Sequence, residues 1–90
     1  RNIKEVNEVK GKFEGKVKVI DCRNSYLFPS EYIVKNEENE EIYKLICFRI
    51  RFVEILKENE EVMISGRLEK ADNEYQIVIN EREGFIKFLD

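Results

Sequence analysis

The chain has no histidine and no tryptophan, a single proline, one methionine, two cysteines and four glycines among its 90 residues. Without histidine the commonest general base is missing, and no Ser-His-Asp or Cys-His constellation can form. The two cysteines, Cys22 and Cys47, make no C-x-x-C pair, and no histidine completes a zinc set, so neither metal nor cofactor is expected. Both thiols are read as reduced and structural. No long apolar run exists either. Stretches such as Leu45-Ile46-Cys47-Phe48 cannot span a bilayer, no signal-peptide core opens the chain, and a cytoplasmic, non-membrane protein is expected. These absences point to a binding domain rather than an enzyme.

What remains is a chain with 42% hydrophobic and 39% charged residues, enough apolar residues for one core and too few residues for two. Residues 1–90 are read as one domain. Because the chain begins at Arg1 rather than a methionine, it is read either as a trimmed chain or as a piece excised from a longer polypeptide, and an accessory domain of a synthetase, helicase or nuclease rests on that observation alone. The net charge of −3 argues against coating nucleic acid by charge alone. Its distribution is uneven. Residues 1–20 carry Arg1, Lys4, Lys10, Lys12, Lys16 and Lys18 against Glu5, Glu8 and Glu14, while acids gather at 37–41 and 58–61. The abundance of Glu, Lys and Ile is a compositional trait of thermophiles.

Period-two alternation dominates the pattern. From Val9 to Cys22, Phe13, Gly15, Val17 and Val19 share one face and Lys12, Glu14, Lys16 and Lys18 the other. Residues 23–30 hold the only proline and form the first loop. A second strand over 32–35 and a third over 41–48 flank the polar hairpin Asn36-Glu37-Glu38-Asn39-Glu40. Tyr43, Leu45 and Cys47 are expected inward, and Lys44, Ile46 and Phe48 outward. Over 50–56 the period changes: Phe52, Ile55 and Leu56 at helical spacing predict a short helix able to plug a barrel end. A fourth strand alternates Val62, Ile64, Gly66 and Leu68 with Met63, Ser65, Arg67 and Glu69. The fifth, over 75–80, places Tyr75, Ile77 and Ile79 on one face. The tail 84–89 is apolar enough for a short strand, for packing on the barrel, or for leading into a further domain.

Five strands, a helical segment between the third and fourth, and mid-strand glycines at 15 and 66 predict an all-β, five-stranded Greek-key OB-fold barrel. An SH3-like barrel explains the strand count but less easily the helical segment.

Within this frame, Gly15-Lys16-Val17, the hairpin into Tyr43-Lys44-Leu45-Ile46-Cys47-Phe48, and Asn59-Glu60-Glu61-Val62-Met63-Ile64-Ser65-Gly66 resemble the single-stranded-DNA-binding domains of archaeal and eukaryotic replication protein A. The resemblance implies a base-stacking role for Phe48 at the end of the third strand and a basic contact for Lys44. The chain departs from the pattern in its hairpin, which is acidic and lacks the usual Asp and Gly.

OB-folds present ligands on the face of strands two and three, between the first loop and the loop joining strands four and five. Here that surface carries Arg23, Tyr26, Phe28, Lys35, Lys44, Ile46, Phe48, Lys70 and Asn73. Exposed rings stack on unpaired bases and lysines neutralise phosphates. The expected partner is single-stranded nucleic acid, DNA ahead of RNA. The alternative is protein contact within a replication, repair or RNA-processing assembly, for which the acidic balance and acidic hairpin speak. For Phe48 burial against Phe52 stays open, and for Tyr26 and Phe28 a lid on the barrel end.

Overall fold

A computed structural model describes residues 8–89. Arg1, Lys4 and Glu5, part of the basic opening segment, lie outside the described residues. Among the described residues six strands follow in order: β1 (Glu8–Asp21), β2 (Ser30–Asn36), β3 (Ile42–Cys47), β4 (Glu61–Ala71), β5 (Glu74–Ile79) and β6 (Phe85–Phe88), with a 3-10 turn, Ile50–Phe52, between β3 and β4. The sheet runs β1-β2-β3-β5-β4 and closes through β1–β4, which makes a five-stranded barrel of OB type; β6 adds to the edge of β4. All neighbours are antiparallel except β3 and β5.

The length of β1 has a reason. Its residues Glu8 to Lys18 pair with β4, and Val17 to Asp21 pair with β2, so one strand serves two walls of the barrel. Register slips near Lys10 and Ile20 mark bulges where the strand bends. On the opposite wall β4 also serves two partners, β6 along Val62–Ser65 and β5 along Arg67–Ala71. Gly66 sits at that handover. A Cβ there would lie 2.7 Å from the Val78 carbonyl oxygen, so the close approach of β5 requires glycine.

The core follows the alternation. Val17 and Val19 of β1, Tyr32 and Val34 of β2, Tyr43, Leu45 and Cys47 of β3, Val62 and Ile64 of β4, and Ile77 and Ile79 of β5 are buried together with Phe52 and Leu56. Tyr75, which alternation groups with Ile77 and Ile79, lies exposed at the barrel rim, with its ring edge-on to Tyr43 at 6.4 Å. Val78 on the outer face is buried, flanked in register by Ile46 and Arg67.

The segment 50–56 does plug the barrel end, but its helix stops after one turn. The Tyr32 hydroxyl donates to the Phe52 carbonyl at 2.7 Å and accepts from the Ile55 N–H at 3.1 Å, while the Glu54 N–H donates to the Ser25 carbonyl. Backbone groups that a longer helix would pair internally are taken by the barrel wall and the first loop. Glu54 accordingly adopts φ 56°, off the helical path.

The tail forms β6, whose Ile86 packs against the core. The β2–β3 hairpin is closed by side chains in place of glycine: Asn36 Oδ1 accepts from the Glu38 N–H and Asn39 Oδ1 from the Glu41 N–H.

Candidate nucleic-acid interface

Strand pleating decides which side chains leave the barrel. With Tyr32, Val34, Tyr43, Leu45 and Cys47 inside, the outer face of β2 and β3 carries Glu31, Ile33, Lys35, Ile42, Lys44, Ile46 and Phe48. Register aligns these into rows across the sheet. Ile33 stands beside Lys44 and Lys44 beside Gln76; Glu31 stands beside Ile46 and Ile46 beside Val78.

At one end of the face lies an aromatic cluster. Phe48 is 41% exposed, and its backbone N–H bonds to the Ile79 carbonyl, which fixes the ring beyond the last core position of β3. The ring meets Phe28 edge-on at 6.5 Å. Phe48 is therefore a surface residue and does not pack into the core with Phe52; the Phe52 ring lies under the Arg49 and Arg51 guanidiniums, at 5.4 and 5.8 Å. Tyr26 and Phe28 are 61% and 53% exposed, so they do not form a lid. Their loop is held at its base, where Ser25 is buried and its N–H bonds to the Cys22 carbonyl, while the Asn24 carbonyl accepts from Leu27 and Glu31.

At the other end, roughly 13 Å along β3 from Phe48, a shallow groove of about 400 Å³ is lined by Ile33, Ile42, Tyr43, Lys44, Asn73 and Tyr75. Lys70 stands over the Tyr75 ring at 5.7 Å. Lys44, Lys70 and Asn73 thus gather here, away from Tyr26, Phe28 and Phe48, with Ile33 and Ile46 between the two groups. Lys35 lies on the β2 flank.

Arg23 stands apart. Its guanidinium contacts Asp21 at 2.8 Å, and its backbone N–H donates to the same carboxylate. Those hydrogen bonds hold Asp21 below the usual carboxylate range and raise Arg23, so its charge is already engaged. Lys35 and Lys44, by contrast, have no ion pair among the described residues. Acids border the groove at Glu41 and Glu74.

Sequence reading did not single out Tyr75, which lines the groove, because strict alternation grouped it with Ile77 and Ile79. The turn Asp72-Asn73 was the available signal, since only Glu74 separates Tyr75 from it at the start of β5. Both cysteines are free; Cys47 is buried, and burial pushes its thiol up to about 12. Among the described residues no group of three His, Cys, Asp or Glu side chains is placed to hold a metal ion, and no helix is long and apolar enough to cross a membrane.

No protein-family model, curated protein or solved structure matches the chain.

Proposed function

We propose that this barrel is a single-stranded nucleic-acid-binding module that holds bases by stacking and phosphates by lysine contact. The observation that carries this reading is the exposed Phe28–Phe48 pair at the end of an outer face that also bears Lys35 and Lys44 without ion pairs among the described residues. Exposed rings are costly in water unless a ligand covers them, and the π-face of an unpaired base is the ligand that rings beside lysines suit. The resemblance to the domains of replication protein A supports DNA over RNA.

A titration of labelled oligo-dT and oligo-U at two salt concentrations tests the reading. Binding at micromolar concentration or tighter, weakened by salt and stronger for oligo-dT, is expected. No binding at low ionic strength overturns it.

A second reading, docking of a protein partner in a replication, repair or RNA-processing assembly, is favoured by one observation. Leu27 and Ile50 are exposed as well as Tyr26, Phe28 and Phe48, on a chain whose net charge is −3. A partner held at the same face, with oligonucleotides ignored, is the result that selects it.

A further inference from the structure

On three adjacent strands the outer face repeats one arrangement. Lys18 of β1, Lys35 of β2 and Lys44 of β3 each stand two residues from an isoleucine: Ile20, Ile33 and Ile46 respectively. Because β2 runs antiparallel to β1 and β3, all three isoleucines fall on the same side of the lysines, the side toward Phe48. Lys18 is directly opposite Lys35, and Lys35 is diagonal to Lys44, which faces Ile33. Ile20 is the unpaired residue of the bulge between Val19 and Asp21, next to the Asp21–Ile33 pair, and is 40% exposed.

Like charges placed opposite across an antiparallel pair repel. Even so, none of the three lysines has an ion pair among the described residues. The acid opposite Lys18 on β4 is Glu61, and its carboxylate lies 3.9 Å from Lys16 Nζ. Within β2 the outward acid is Glu31, beyond Ile33 and level with Ile46, and just past the strand Glu37 stands two residues from Lys35 beside Lys16 without forming an ion pair with the row. The row thus presents three charges spaced about 5 Å and 7 to 8 Å apart at the backbone, beside a band of apolar side chains that ends at the exposed ring of Phe48.

We propose that Lys18, Lys35 and Lys44 form the phosphate track of a bound single strand, whose bases lie across Ile20, Ile33 and Ile46 toward Phe48 and Phe28. The proposal rests on the single-strand reading above and adds β1 to the interface, with Lys18 as a contact residue. It also sets the ligand's orientation: the backbone runs across the strands from β3 to β1, and the bases point to the aromatic end.

The test is the salt dependence of oligo-dT binding by the full chain and by Lys18→Gln and Lys35→Gln. Single strands lose about 0.7 in the slope of log affinity against log salt for each phosphate contact removed. Three contacts therefore give the unaltered chain a slope of about −2, and either substitution reduces it to about −1.4. Between 50 and 200 mM salt each contact amounts to roughly a 2.5-fold change in affinity. Lys12→Gln, which alters a β1 lysine 3.7 Å from Glu14 and outside the row, leaves the slope unchanged. Neither row substitution lowers the melting temperature, because each removes a repulsion. An unchanged slope in both row variants, with oligo-dT still bound, overturns the phosphate track and leaves the single-strand reading intact. Failure of the unaltered chain to bind at all overturns both.

Discussion

Phe48 shows how one position on a strand decides between core and surface. It follows Cys47, the last buried residue of β3, and pleating turns it outward to meet Phe28. The Phe48→Ala variant therefore folds, at a cost of about 0.5 to 1.5 kcal/mol for the lost ring contact. If the ring stacks on a base, the same variant weakens oligo-dT binding by about 1 to 3 kcal/mol, and Phe28→Ala does the same. Denaturation and titration of the same samples separate the two effects. Alternation made Phe48 legible as outward, but the sequence alone left its burial against Phe52 open, because adjacency in the chain says nothing about which wall a ring meets.

Cys47 offers a second test at this scale. Burial disfavours its thiolate, so its folded value, about 12, lies above the ordinary value of 9.0. The folded state thus holds the proton more tightly than the unfolded state, and the resulting stability is complete below pH 9 and lost as pH rises from about 9 to about 12. Urea midpoints measured across this range fall for the native chain and fall less for Cys47→Ala. An equal decline in both would contradict the assignment.

At the scale of elements, the five barrel strands were legible because each carries alternating apolar residues, and their order followed from the helical interruption after β3. What the pattern could not convey was tertiary. Nothing in residues 50–56 announces that Tyr32, about twenty residues earlier, supplies a hydroxyl to the Phe52 carbonyl and the Ile55 N–H. That hydroxyl converts an expected helix into a pinned plug. Removing it in Tyr32→Phe leaves the Ile55 N–H without its partner and the Phe52 carbonyl with only the Ser30 hydroxyl, and lowers stability by about 1 to 3 kcal/mol, measurable by urea denaturation. Glu54, forced to φ 56° by the same pinning, gives a change of opposite sign: Glu54→Gly raises stability by about 0.5 to 1 kcal/mol because glycine adopts that conformation freely. The pairing of β6 with β4 was equally hidden, since an apolar tail fits a strand, a packed segment or a linker alike. Bulges at Lys10 and Ile20 interrupt β1 without interrupting its composition, which is why a continuous strand was expected there.

For the whole molecule, a net charge of −3 hides a local order that sequence reading only partly reached. Lys35, Lys44, Phe28 and Phe48 were singled out by assuming that the β2–β3 face carries the ligand, and the fold places all four on the outside of the barrel. Lys18 and Tyr75 were not singled out because their positions depend on barrel closure: β1 brings Lys18 beside Lys35, and the parallel contact of β5 with β3 brings Tyr75 to the groove at Lys44. The pairing of Arg23 with Asp21, two residues away, was not legible, because it is a side-chain geometry that spacing does not specify. The molecule therefore divides one face by chemistry, with lysines toward the hairpin side and rings toward the first loop. Its acids are Glu31, beside Ile46, and those in the hairpin and around the groove.

The central claim is that this face binds single strands, and the most direct test is residue-resolved mapping of amide chemical shifts during titration with oligo-dT. The account predicts that the largest changes fall on Tyr26 to Phe28, Ile33, Lys35, Lys44, Ile46 and Phe48. Changes confined to β6 or the acidic hairpin, or no change at saturating oligo-dT, would contradict it.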